Sequence, residues 1–158
     1  MNQLSEREGA VLLEALDDEY HAWATYDQVI ADFGDVAPFT NIREAEARHI
    51  EALLSLFHLF SLQAPHNSWP GRVERYPSLL AACEAGVSAE VANAGLYDRL
   101  LATTESPEIA VVLRRLRDAS QQRHLPAFRR CVERQRDGGV AQQGCNEGSG
   151  RRWRGGGL

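Results

Sequence analysis

Four stretches of this 158-residue chain repeat apolar residues at alternating steps of three and four, and each is broken near its middle by a polar one. That spacing puts every named residue on a single helix face. The first stretch runs Leu12, Leu16, Glu19, Trp23, Tyr26, Ile30, and the second Ile42, Glu46, His49, Leu53, Leu56, Phe60. The third runs Cys83, Val87, Glu90, Ala94, Tyr97, Leu101, and the fourth Leu113, Leu116, Ser120, His124, Phe128, Cys131. A carboxylate buried alone neutralises or costs several kcal/mol, roughly, so three carboxylates and two imidazoles in one interior demand compensation.

The residues between these stretches are turn formers, so the fold class reads as all-α, an antiparallel four-helix bundle. Helix A is expected from Ser5 to Phe33, with Ser5 as N-cap and Glu8 completing a capping box. It stops at "DFGDVAP", where Gly34 and Pro38 cannot easily continue it. Helix B is expected from Phe39 to Leu62, with Asn41 suited to helix-start chemistry, and helix C from Ser78 to Thr103 with Gly86 and Gly95 as weak points. Helix D follows Ser106 and Pro107 and extends to Arg136, with a kink at Pro126. Residues 1–136 form the bundle domain, and 137–158, rich in glycine and arginine, read as a disordered tail.

Several function classes lose support at once. A net charge of −5 argues against a nucleic-acid surface over the whole chain, and the arginines between Arg114 and Arg136 read as a solvated helix face. No apolar run approaches the roughly 20 residues of a membrane span, and the N-terminus lacks a secretory pattern, so a cytoplasmic location is the default. Cys83, Cys131 and Cys145 are odd in number and form no C-x-x-C pair, which favours free thiols in a reducing compartment. No P-loop, Gly-x-Gly-x-x-Gly or Gly-x-Ser-x-Gly motif is present.

Divalent metal ions fit both the charge and the residue types of the four interruptions. Carboxylate oxygens and neutral imidazoles suit iron, manganese or zinc, and Glu46 and His49, three apart, reach one inward point. Glu46 and His49 alone would be weak support. The coincidence on four helices carries the reading. His21, His58 and His66 fall off the seams and read as surface residues. Tyr26, seven residues after Glu19, reads either as an outer partner of the metals or as a core aromatic, and Trp23 and Tyr97 read as packing.

The stretches "DDEYHAWATYDQV", "PFTNIREAEARHIEAL", "EAGVSAEVANAGL" and "SQQRHLPAF" resemble the ferritin-like superfamily, and more closely the family of the domain of unknown function 2202. The resemblance implies Glu19, Glu46, His49, Glu90 and His124 as ligands of two metal ions, most simply iron, with manganese or zinc as alternatives. In such sites a glutamate from each of two helices joins a Glu-x-x-His motif from each of the others. Here the second motif opens on Gln121, a neutral residue that could act as a weak ligand or outer partner. The expected chemistry is that of a di-iron carboxylate oxidoreductase, an oxidase or ferroxidase using O2 or peroxide, with a homodimer as the default assembly. A mononuclear site and a non-catalytic binding or assembly module remain alternatives.

Overall fold

Serine starts three of the helices. The side chains of Ser5, Ser78 and Ser106 accept hydrogen bonds from the N–H groups of Glu8, Ala81 and Ile109, which would otherwise be orphaned in a first turn. The computed structural model describes residues 3–144. The helices are α1 (Glu6–Phe33), α2 (Phe39–Leu59), α3 (Leu79–Thr103), α4 (Pro107–Ala119) and α5 (Leu125–Gly144), with a π-helical turn at Ser120–His124 joining the last two. No strand occurs among the described residues, and the fold is all-α, as the periodicity requires.

The ends differ in places from expectation. α2 stops at Leu59 and not Leu62, because Ser61 turns the backbone with a φ of 56°. Asn41 caps nothing, since the chain enters α2 through Pro38 without a side-chain cap. α5 continues to Gly144, so residues 137–144 are helical where a tail was expected, and residues 145–158 lie outside the described residues.

Pro126 explains the π turn. It has no N–H, and in a regular α-helix its ring would strike the carbonyl four residues back. One widened turn relieves the conflict, with the Leu125 N–H donating to the Ser120 carbonyl five residues back. The expected kink is this turn.

Side-chain pairs fix the helix directions. Between α1 and α3, Tyr26 meets Glu90, Asn93 meets Asp18 and Arg99 meets Glu14, so one number rises as the other falls and the helices are antiparallel. Arg43 with Asp27 and His49 with Glu19 give the same sense for α1 and α2. Arg136 with Glu84, Ser120 with Glu90 and Arg117 with Asp98 give it for α3 and the α4–α5 helix. α2 and α3 therefore run in the same direction, and residues 60–78 must cross the length of the molecule between them.

The core consists of two apolar layers. One holds Leu12, Leu16, Leu53, Leu100 and Leu113, and the other holds Tyr26, Phe39, Ile42 and Phe128. Each fully buried side chain of this kind contributes about 1.5–3 kcal/mol. On α2, α3 and the α4–α5 helix the polar interruptions lie between the two layers in chain order, and on α1 Glu19 lies at the inner edge of the first layer, beside Tyr20. Gly86 is required in the second layer: a Cβ there would stand 2.5 Å from the Phe128 ring.

Cys83 and Cys131 also lie in this second layer, on α3 and α5, and form a disulfide with Cα atoms 5.7 Å apart. The free-thiol expectation is corrected for this pair, and it no longer supports a reducing compartment. The two are 48 residues apart in sequence, so no local spacing announces them. Cys145 lies outside the described residues. No described helix is long and apolar enough to cross a membrane.

Candidate metal centre

Glu19, Glu46, Glu90 and His124 are each exposed by 4% or less and meet between the two apolar layers. His49 joins them with its side chain 15% exposed. All five metal-ligand candidates from the sequence are thus brought together.

Their arrangement has an internal order. Glu46 stands at the centre, and its two oxygens face different neighbours. Oε2 lies 2.8 Å from His49 Nδ1, which is also 3.4 Å from Glu19 Oε2. Oε1 lies 3.2 Å from His124 Nδ1, which is also 3.5 Å from Glu90 Oε1. Two groups able to hold an ion result, Glu19–Glu46–His49 and Glu46–Glu90–His124, with the ligand atoms of each group within 4.8 Å of one another. The two imidazoles stack with ring centroids 5.5 Å apart.

Glu19 meets His49 and shares one ligand group with Glu46.

Two tyrosines complete the groups by crossing over. Tyr26, seven residues after Glu19 on α1, donates to Glu90 Oε1 on α3 at 3.1 Å. Tyr97, seven residues after Glu90 on α3, donates to Glu19 Oε1 on α1. Antiparallel helices with the same Glu-to-Tyr spacing produce this exchange. Tyr26 therefore bonds to Glu90 and is also a core aromatic, since it packs 5.2 Å from Phe128 between ring centroids. The reading of Tyr97 as packing alone missed its bond to Glu19. The signal was its repeat of the Tyr26 spacing. Trp23 is only partly buried and contacts none of the cluster's groups by hydrogen bond.

Gln121 is a correction. The residue is exposed, away from the buried cluster. The π turn instead keeps Ser120, four residues before His124, on the inward face, and its hydroxyl donates to Glu90 Oε2. His21, His58 and His66 are exposed, as expected.

The electrostatics follow from burial and neighbours. Burial, and then the charge of Glu46, push the Glu19 carboxyl well above its usual range. Burial pushes Glu46 the same way, but the attraction of the His124 and His49 imidazoles outweighs it and holds Glu46 below the usual range. Burial would lower both histidines, yet Glu19 and Glu46 raise His49 to about 9, and Glu46 and Glu90 raise His124 to about 10. Without an ion, the raised histidines place positive charge beside Glu46.

The donor set fits divalent metal ions. Three carboxylates and two imidazoles suit iron, manganese or zinc. His124 Nδ1 is buried with no hydrogen-bond partner among the described residues. It is near enough to both carboxylates for charge attraction but misaligned for a hydrogen bond, as a nitrogen aimed at a point between them would be.

No protein-family model matches the chain, and no curated protein matches it. The chain is similar to the crystal structure of hypothetical protein MJ0754 from Methanococcus jannaschii DSM 2661, at a TM-score of 0.75 and 21% identity. The match covers 85% of this chain and 84% of that one, and at this identity it establishes a shared helical fold alone.

Proposed function

We propose that the protein is a ferritin-like metal-binding protein, an antiparallel four-helix bundle that holds two divalent ions, iron foremost, at Glu19, Glu46, His49, Glu90 and His124. The observation that carries this reading is the division of Glu46, one oxygen toward each Glu–His group. A carboxylate placed so would serve both ions. The resemblance to the ferritin-like superfamily agrees with it, as does the single long crossing between α2 and α3, a connection that ferritin-like bundles use.

Bound iron would supply oxidation chemistry with O2 or peroxide as the oxidant. The chain's own residues would do the rest. Tyr26 and Ser120 orient Glu90, and Tyr97 orients Glu19, so that each carboxylate presents a set oxygen to the centre. The apolar layers close the cluster on two sides, and the side of His49 and His124 stays open to solvent. His49 and His124 release protons as ions bind.

Metal analysis of protein purified without chelator and then loaded with iron tests the proposal. About two metals per chain are expected, and none would overturn it in favour of a non-catalytic module. The charge balance favours one further reading. Three carboxylates do not neutralise two divalent ions, and Ser120 occupies the place where a fourth carboxylate would help. Stepwise loading through a mononuclear state follows, and spectroscopy that separates isolated from coupled iron would detect it.

A further inference from the structure

A cavity of about 750 Å³ opens between α2 and the α4–α5 helix and reaches His49 and His124 at its inner end. Its size suits a small organic molecule. Its walls divide by chemistry. Ala45, Ala52, Ala119 and Ala127 line it with small apolar groups, and Arg48, Arg115, Arg123, Arg130 and Arg134 stand around it on both sides.

The arginines are not accounted for by local pairing. None of the five forms an ion pair among the described residues, nor do Arg7, Arg72, Arg114 and Arg129, and Arg134 donates to the Ala37 carbonyl at 3.4 Å. Asp118 is the one acid lining the cavity, and Arg117 already pairs with it at 3.4 Å. In a chain of net charge −5, five guanidinium groups around one opening form a local field of the opposite sign. The five are exposed, which agrees with the solvated face expected for the Arg114–Arg136 region; Arg114 and Arg129 are exposed too but do not line the cavity.

We infer that this groove binds a small organic anion, a carboxylate or phosphate head on an apolar body, and leads it to the histidine edge of the cluster. The arginines hold the head by charge-assisted, bidentate hydrogen bonds, and the alanines accept the body. The binding stands on the groove alone; that the bound molecule is the substrate rests on the metal reading.

Calorimetric titration of metal-free protein with octanoate, octyl phosphate and inorganic phosphate tests this. Saturable binding of one of the two amphiphiles at about one per chain is expected, and their ranking identifies the head group. Arg123→Ala/Arg130→Ala should weaken it about tenfold or more, while Arg114→Ala/Arg129→Ala should leave it within about twofold. The idea fails if neither amphiphile saturates or if both double variants lose binding equally. It also fails if inorganic phosphate binds as tightly as the amphiphiles, or if an oligonucleotide binds more tightly than either. Metal content measured on the same preparations keeps the two readings apart. A chain that binds octanoate but no iron overturns the metal centre alone, and the reverse overturns the groove alone.

Discussion

The two halves of the cluster contain the same parts and are built to different standards. Around His49 the parts lie on regular α-helix, and Nδ1 already makes a 2.8 Å hydrogen bond to Glu46. Around His124 they lie on a π turn, an extra hydroxyl from Ser120 is needed to hold Glu90, and the ring nitrogen is left without a partner. A shared carboxylate links the two, so a change in either half is felt through Glu46.

The largest effect should come from that link. Glu46→Ala should reduce metal from about two per chain to near zero, where His49→Ala or His124→Ala should each leave about one. Metal analysis of the three variants checks this. Equal content in all three would show that Glu46 is not shared.

Acid and base should next separate the loaded from the empty cluster. His49 and His124 have pKa values raised to about 9 and about 10 above the usual 6.5, so the stability they give the metal-free protein is complete below about 6.5. It is lost as pH rises through 9 and 10. Ions must displace the same protons, so metal affinity should rise over that range. Melting curves with and without metal should therefore diverge with increasing pH, and parallel curves would refute the assignment.

The tyrosine exchange offers a smaller test. Tyr97→Phe and Tyr26→Phe each remove one donor to a buried carboxylate, at a cost of about 1–3 kcal/mol in denaturant unfolding, with metal content retained. Because Tyr26 also packs against Phe39 and Phe128, and phenylalanine keeps that packing, the two losses should be similar. A much larger loss for one would show that the halves are not matched in this respect.

What could be read from the sequence follows from the range of each physical effect. Glu19, Glu46, His49, Glu90 and His124 were legible because each interrupts an apolar seam of helical period, a signal contained within a few turns. Glu-x-x-His spacing singled out Gln121, which is exposed, while Ser120, already on the inward seam, meets Glu90 from the π turn that precedes Pro126. Pro126 was visible; that its conflict would be relieved toward the N-terminus was not. The Cys83–Cys131 pair and the arginine-lined groove depend on which helix faces which, and no local spacing carries that.

The long crossing between α2 and α3 has no regular structure, yet it is fastened to α1. Tyr20 donates to the Pro65 carbonyl at 2.9 Å, Asn67 donates to the Tyr20 carbonyl, and the Trp69 indole donates to Asp17 at 2.9 Å. These anchors flank Glu19 in sequence. The segment cannot lift away without loosening the very turn of α1 that carries a ligand, so its opening should cost as much as partial release of that helix. In hydrogen-exchange and limited-proteolysis experiments residues 65–69 should behave as part of the core and become accessible together with α1, and metal loading should slow both at once.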